Sequence, residues 1–174
     1  MDHDDLGQRL VKAAYLEGDF LLASGRRSRY YFDKYLFETR PELLGPVAEH
    51  LAQKIPTGVR RLAGPELGAI ALATATSLVA GLPALFVRGA AKAYGTAKRI
   101  EGPFDPGDLV LVLEDVVTSG ASAIEAASVL AESGCRVAQI LAVIDREEGG
   151  REAARDAGYV LNALFTRSEL ERWL

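Results

Sequence analysis

The first third of the chain alternates between helix-like and strand-like hydrophobic patterns. Residues 4–17 place apolar side chains on one helical face, and residues 40–55 do the same after a proline suited to a first helical turn. Between them, residues 19–23 and 29–37 form apolar and aromatic runs around a polar, glycine-containing turn. This pattern predicts a helix, a β-hairpin and a second helix.

After residue 60, short apolar runs alternate regularly with helix-like segments. Predicted strands lie at 60–64, 83–88, 108–115, 136–145 and 159–165, and predicted helices at 65–81, 121–133, 149–158 and 166–174, with a charged, glycine-rich loop at 89–107. Such alternation implies right-handed crossovers and a mostly parallel sheet. Uninterrupted apolar runs at 109–113 and 140–144 suit strands covered on both faces. We therefore expect an α/β fold with a central sheet flanked by helices, and the hairpin as a small lobe over its edge.

Composition narrows the class of protein. A chain of 174 residues suggests a single domain, 1–174. Its net charge of −4, without a basic tail, argues against nucleic-acid binding. The single cysteine, Cys135, excludes an intrachain disulfide. No apolar run approaches the length of a membrane helix, and the acidic N-terminus lacks a signal core. A cytoplasmic protein without membrane contact is expected.

An acidic pair, Glu114 and Asp115, ends the apolar run at 109–113 and leads into the hydroxyl-rich turn 118–122. Ligands of parallel sheets bind beyond the carboxyl ends of the strands, where carboxylates can accept hydrogen bonds from sugar hydroxyls. A glycine-containing turn before a helix offers backbone N–H groups to an anion. Together these features predict a site for a ribose 5-phosphate. The alternatives are a surface acidic pair before an ordinary helix and, for Ser122, a capping box with Glu125.

Four cations and three glycines lie in the segment 88–102. Cations on a glycine-hinged loop suit closure over a polyanion. A solvated loop between two strands is the alternative.

The stretch "VLVLEDVVTSGAS" resembles the phosphoribosyl pyrophosphate motif of the type I phosphoribosyltransferases, and its flanks resemble the orotate branch of that family. The resemblance implies catalytic roles for Lys92, Asp115 and Glu114. It also implies that the phosphoribosyl pyrophosphate is bound by Arg88, Lys92, Tyr94, Glu114, Asp115, Val116, Val117, Thr118, Ser119, Gly120, Ala121 and Ser122. It further implies Mg²⁺ held through the pyrophosphate without direct protein ligands, and a homodimer in which the 89–103 loop acts across the interface.

The resemblance extends to the base. "ASGRRSRYYFDKYLF" is similar to the family's base-covering segment, so that residues from about 18 to 38 would form the lobe, with Tyr31 and Phe32 against orotate. Thr118 is assigned to orotate as well. Arg146 matches the arginine that meets the orotate carboxylate, and a guanidinium can bind a carboxylate through two hydrogen bonds. The alternative for Arg146 is a surface ion pair with Glu147 or Glu148.

Two positions depart from the family. Gly89 and Ala23 stand where many members carry lysines. These losses leave room for a non-catalytic ligand sensor or transcription regulator built on the same fold. Such a protein should show a basic nucleic-acid-binding surface or an added helix-turn-helix module, and this chain is acidic overall. A purine phosphoribosyltransferase is the other alternative; it would share the phosphate loop without needing Arg146.

Overall fold

The computed structural model describes residues 1–21, 25, 27–89 and 98–174 of the chain. In chain order, its elements are α1 (His3–Ala14), β1 (Tyr15–Leu21), β2 (Arg27–Phe32), α2 (Tyr35–Glu38), α3 (Pro41–Gln53), β3 (Arg61–Pro65), α4 (Gly68–Ala80), β4 (Ala84–Val87), β5 (Ile100–Glu101), β6 (Leu109–Val117), α5 (Ala121–Glu132), β7 (Arg136–Asp145), α6 (Gly150–Asp156), β8 (Leu161–Thr166), α7 (Arg167–Leu170) and a 3₁₀ turn (Glu171–Trp173).

Six strands form the central sheet in the order β5, β4, β3, β6, β7, β8. β4, β3, β6, β7 and β8 run parallel, and the short β5 runs antiparallel to β4 at one edge. Chain order proceeds outward in one direction from β3 and in the other from β6. The boundary between β3 and β6 is therefore the topological switch point, where ligands of open α/β sheets bind.

Alternation along β6 explains why its apolar run is uninterrupted. Leu111 and Leu113 pack into a core with α1, α3 and α4, whereas Val110 and Val112 pack into a second core with α5. Successive strand residues point to opposite faces, so a strand covered on both faces buries every side chain. The sheet sits between these two helical layers, as the sequence predicted.

The N-terminal hairpin is present, but its bounds differ from the predicted ones. The helix predicted at 4–17 ends at Ala14, because Tyr15 begins β1 and pairs with Phe32 of β2. Leu22 and Ala23 of the predicted first arm lie outside the described residues. The second arm ends at Phe32, and α2 follows with a fully buried Phe37. An aromatic-rich run favours strand locally, and burial of Phe37 against α1 and α3 decides otherwise.

Two other differences are small. The predicted loop 89–107 contains the two-residue strand β5, which is too short to produce a pattern. The helix predicted at 166–174 begins as α7 with a capping box formed by Thr166 and Glu169. None of the described helices has the length and apolar character needed to span a membrane.

Candidate active site

Glu114 and Asp115 lie inside β6 rather than at its exit, since the strand continues to Val117. Both side chains are buried, with 6% and 2% of their surfaces exposed. The Asp115 N–H donates to Glu114 Oε1 at 3.2 Å. The strand predicted at 108–115 therefore extends two residues further than expected. The two carboxylates belong to opposite faces of a strand at the switch point.

Asp115 faces the helical layer of α2 and α4. Its Oδ2 lies 2.8 Å from Nζ of Lys34, and its Oδ1 accepts the Val116 N–H at 2.5 Å. Gly68, the first residue of α4, makes this approach possible: a Cβ there would lie 1.8 Å from Asp115 Oδ2 and 2.7 Å from Lys34 Nζ. The missing side chain of Gly68 thus opens the space that the ion pair occupies.

Glu114 and Glu38 surround this pair with further buried carboxyl groups. Burial and the charge of Asp115 raise the pKa of Glu114 to about 8, partly offset by Lys34 and by a hydrogen bond from Ser122. Burial and the charge of Asp115 also raise the pKa of Glu38 to about 8. Burial alone would lower the pKa of the Lys34 ammonium, but the charges of Asp115 and Glu114 raise it overall. The site is therefore acidic, with a lysine at its centre.

Beyond β6, residues 118–120 form a loop that enters α5. Gly120 is the N-cap of α5 with φ of 77°, and no side chain caps the helix. The first intrahelical bond at this end is from the Ile124 N–H to the Gly120 carbonyl. The preceding N–H groups are therefore open to an anion. The alternative of a capping box between Ser122 and Glu125 does not hold: Ser122 lies inside the helix and donates to Glu114, whereas Glu125 pairs with Arg99.

Glycines hold this loop close to the start of α6. A Cβ on Gly150 would lie 2.3 Å from Cγ1 of Val117 and 3.0 Å from the Thr118 carbonyl oxygen. Val117 is buried and Val116 half-buried, so of the predicted phosphate-binding stretch these two contribute strand rather than loop. Thr118 is half-buried, and Ser119, Ala121 and Ser122 are exposed at the sheet's carboxyl edge.

The segment carrying Lys92 and Tyr94 lies outside the described residues, but both of its ends are described. Arg99 donates to the Arg88 carbonyl at 3.1 and 3.2 Å and to the Gly89 carbonyl at 2.8 Å. The Gly89 N–H donates to Glu66 Oε1 at 3.0 Å, and Arg88 lies 3.8 Å from the other oxygen of Glu66. The two ends of the 90–97 segment are thus joined by Arg99.

Arg146 lies beside the hairpin lobe. Its backbone N–H donates to the Val117 carbonyl, which joins it to the end of β6. Arg146 is buried, with 3% of its surface exposed. Its guanidinium lies 4.7 Å from the Tyr30 ring centroid and pairs with Glu148 at 2.9 Å. It also approaches Ser28 Oγ at 3.5 Å. Cation–π contact with Tyr30 orients a buried guanidinium.

Tyr31 and Phe32, the two aromatic residues predicted to contact the base, lie on opposite faces of β2, because successive side chains of a strand alternate. Phe32 is buried in the core, edge-on to Tyr15 and Tyr30. Tyr31 is half-buried on the other face of β2 and packs against Phe20, with ring centroids 5.5 Å apart. Tyr30, which the sequence reasoning passed over, is the aromatic ring in contact with Arg146.

Comparison with known proteins identifies the family. The curated orotate phosphoribosyltransferase of Methanocella arvoryzae is 48% identical over 153 residues, covering 88% of this chain and 87% of that protein. The Aeropyrum pernix orotate phosphoribosyltransferase structure superposes with a TM-score of 0.85 at 29% identity, covering 96% of each chain. The Mycobacterium tuberculosis orotate phosphoribosyltransferase, solved with 5-phospho-alpha-D-ribosyl 1-diphosphate, gives a TM-score of 0.77 at 28% identity, covering 98% of this chain and 99% of that one. No protein-family model matched the chain.

The chain belongs to the orotate phosphoribosyltransferase family. Membership confirms the predicted α/β phosphoribosyltransferase fold with its N-terminal hairpin, and the predicted enzyme class. The roles predicted for individual side chains stay predictions.

Several residues in this family member's site were missed by sequence reasoning. Lys34, Glu38, Tyr30 and Gly68 were not assigned to the site, and Arg99 was named only as one of the loop cations. Lys34 is the N-cap and Glu38 the last residue of the four-residue helix α2. The sequence predicted a strand at 29–37, and a strand would not bring the two side chains together. The closeness of Gly68 to Asp115 depends on how α4 packs on β6, which the local sequence does not encode.

Metal ligands are sparse. Within the described parts of the chain, no group of three or more His, Cys, Asp and Glu side chains is arranged to hold a metal ion. Mg²⁺ commonly keeps several waters and binds through one or two carboxylates together with substrate phosphates. In that mode most of the ligands come from water and the substrate rather than from the protein.

Proposed function

We propose that the chain transfers the 5-phosphoribosyl group from phosphoribosyl pyrophosphate to orotate, giving orotidine 5′-phosphate and pyrophosphate in pyrimidine (UMP) biosynthesis. One observation carries the residue-level proposal. A buried acidic pair on β6 continues directly into an uncapped helix N-terminus at the topological switch point of the sheet. This arrangement supports a sugar site and a phosphate site that lie side by side.

The sugar-phosphate half of the substrate would lie along β6 and α5. Asp115 and Glu114 would accept hydrogen bonds from the ribose hydroxyls. The open N–H groups at residues 118–122 and the hydroxyls of Thr118, Ser119 and Ser122 would bind the 5-phosphate. As the bond to pyrophosphate lengthens, positive charge develops on the ribosyl ring, and the adjacent carboxylates stabilise it.

The base half would be read by the hairpin lobe and Arg146. Orotate differs from uracil by a carboxylate, which a guanidinium binds with charge-assisted hydrogen bonds. Arg146 is buried, held by Tyr30 and paired with Glu148. The orotate carboxylate would therefore replace Glu148 as the partner of the Arg146 guanidinium, or would share the guanidinium with it. Tyr31 remains the aromatic side chain proposed to cover the base, with Thr118 at its edge, whereas the buried ring of Phe32 supports Tyr30 from the core.

Pyrophosphate would leave toward the 88–99 segment. Lys92 would stabilise the charge on the leaving group, with Arg88 and Tyr94 as further donors. Arg88 stands beside Glu66, a carboxylate that the departing pyrophosphate would have to displace. Mg²⁺ would arrive with the pyrophosphate and neutralise part of its charge. Gly89 provides a backbone N–H but no positive charge. Arg88 and Lys92 would therefore provide most of the attraction for the pyrophosphate.

A homodimer is part of the same proposal. α4 is apolar apart from Thr74, Thr76 and Ser77, yet Leu67 just before it and Leu78 within it are 71% and 83% exposed. A helix that is apolar on all faces is normally covered on all faces. A second copy of the chain packed on the surface formed by Leu67 and Leu78 would lie next to Gly68 and Asp115. The 89–103 loop of one subunit could then act on the site of the other, in a cytoplasmic enzyme.

The activity is tested by following orotate consumption through its ultraviolet absorbance, with phosphoribosyl pyrophosphate and Mg²⁺. We expect turnover that depends on both additions. No turnover, with binding of phosphoribosyl pyrophosphate retained in calorimetry, would refute the enzyme and favour a ligand sensor. Turnover of hypoxanthine or adenine instead of orotate would place the chain among purine phosphoribosyltransferases.

A further inference from the structure

Lys34 brings a cation from the hairpin lobe into the acidic pair of β6. It lies between the end of β2 and the start of α2, and its Nζ is 2.8 Å from Asp115 Oδ2. The Lys34 side chain is 29% exposed and the Asp115 side chain 3%. Within residues 1–21, 25, 27–89 and 98–174, Lys34 is the one cation that forms an ion pair with Asp115.

The charges around Lys34 are otherwise negative. Glu38 approaches from α2, Glu114 from β6, and Asp33 precedes Lys34 in the chain. Lys34 lowers the pKa values of both Glu38 and Glu114, which burial raises to about 8. One ammonium therefore offsets the charge of several carboxyl groups in a place where solvent screening is weak.

Asp115 is held at both of its oxygens. Oδ1 accepts the Val116 N–H and Oδ2 contacts Lys34, so the carboxylate cannot rotate freely. Each carboxylate oxygen can accept two hydrogen bonds, which leaves capacity on both for a ligand. Gly68 keeps the space beside Oδ2 open. The arrangement is a preorganised acceptor rather than a closed structural ion pair.

We propose that Lys34 is a positioning residue for the ribose: it orients Asp115 to accept the sugar hydroxyls and offsets the negative charge that a polyanionic substrate would otherwise meet. The inference rests on the proposed role of Asp115 and Glu114 in holding ribose. Lys34 belongs to the hairpin lobe and contacts Asp115 of β6, so it also couples the base-covering lobe to the sugar site.

The test compares Lys34→Met, Lys34→Gln and Lys34→Arg with Lys54→Met, which removes the same charge from an exposed position at the end of α3. Lys34→Met is expected to lower kcat/KM for phosphoribosyl pyrophosphate by at least about tenfold, because misplacing a reacting contact is costly. Lys34→Arg should recover most of that loss. Lys54→Met should match the unmodified chain. Thermal melting of every variant checks folding, and Lys34→Gln, which can still donate to Asp115, serves if methionine prevents folding.

The pH profile separates positioning from a structural role. At low pH Glu114 is protonated, and it ionises as the pH rises through about 8. The unmodified chain should therefore show kcat/KM for phosphoribosyl pyrophosphate rising over that range, since this parameter reports groups of the free enzyme. Without Lys34 the pKa values of Glu114 and Glu38 rise further, so the rising limb should move to higher pH. An unmoved limb would show that the charge of Lys34 does not act on the groups that bind the substrate.

The outcomes are distinguishable from failure of the proposed function. If the unmodified chain turns over orotate and Lys34→Met or Lys34→Gln has the same kcat/KM and the same limb, the role of Lys34 is overturned and the function stands. If the unmodified chain binds phosphoribosyl pyrophosphate without turning over orotate, the function fails. Calorimetric binding of phosphoribosyl pyrophosphate then tests Lys34, with weaker binding by Lys34→Met expected and equal binding contradicting the inference.

Discussion

Arg99 and Glu125 form an ion pair of 2.5 Å that joins the end of the 90–97 segment to helix α5. The same guanidinium donates to the carbonyls of Arg88 and Gly89 at the segment's other end. One side chain thereby connects the proposed pyrophosphate-binding loop with the helix proposed to bind the 5-phosphate.

Replacing Arg99 should impair catalysis more than replacing Glu125. Arg99→Met frees two backbone carbonyls and both ends of the loop, so we expect kcat to fall by about tenfold or more, as loop misplacement does. The Arg99–Glu125 pair is partly exposed, and such pairs contribute at most about 1 kcal/mol, so Glu125→Gln should have a small effect. Steady-state kinetics with both substrates measures this order.

Arg9→Met is the matched control for Arg99→Met, because Arg9 forms an exposed ion pair with Asp5 within α1. It should leave kcat unchanged. Equal losses in Arg99→Met and Glu125→Gln would show that the ion pair, and not the clamp on the carbonyls, holds the loop.

Gly68→Ala should disable the site without unfolding the chain. The new Cβ would overlap Oδ2 of Asp115, a short side chain that cannot move far, and would displace Lys34. We expect kcat/KM for phosphoribosyl pyrophosphate to fall by about a hundredfold, the usual penalty for a displacement of about 1 Å.

Gly45→Ala is the control for Gly68→Ala, since it introduces the same methyl group into α3 with no atom within 4 Å. It should leave kcat/KM unchanged; because Pro46 follows Gly45, the gain of about 0.5–1 kcal/mol that alanine usually gives in a helix interior is not expected. Calorimetric melting and kinetics distinguish the two variants, and full activity in Gly68→Ala would mean that Asp115 has room the structure does not indicate.

Arg146→Gln should raise KM for orotate while leaving phosphoribosyl pyrophosphate binding intact. Losing a charge-assisted hydrogen bond of about 1.5–3 kcal/mol corresponds to roughly ten- to a hundredfold in affinity. The preference for orotate over uracil should shrink by the same factor. Arg155→Gln, an exposed change on α6, is the control. An unchanged orotate preference in Arg146→Gln would leave Arg146 as the partner of Glu148 alone.

Mixing two inactive variants tests whether the loop works across a dimer interface. Lys92→Ala and Asp115→Asn should each abolish most turnover. If Lys92 serves the partner's site, each mixed dimer regains one intact site, so random mixing should restore about a quarter of the activity of the unmodified enzyme, by dimer symmetry. No recovery, with mixed dimers verified by mass spectrometry, would place Lys92 in the site of its own subunit.

Most of the sheet was predictable because its signals are local. Uninterrupted apolar runs separated by helix-like segments indicated β3, β4, β6, β7 and β8, and the structure has all five in a parallel arrangement. The hairpin bounds were less predictable, because Tyr35 to Phe37 suit a strand as well as a helix by local preference. Packing of Phe37 into the core settled the conformation.

The residues of the proposed site also fall into those that the local sequence predicted and those that only the packing of the chain brought together. The acidic pair and the loop of residues 118–122 are contiguous in the chain, so the sequence alone predicted a sugar-phosphate site there and, through the motif, determined the family. Only tertiary structure decided that Asp115 meets Lys34 and Gly68, that Tyr30 holds Arg146, and that Arg99 joins the loop ends. Those contacts connect segments far apart in the chain, and their geometry depends on helix packing that no local pattern encodes.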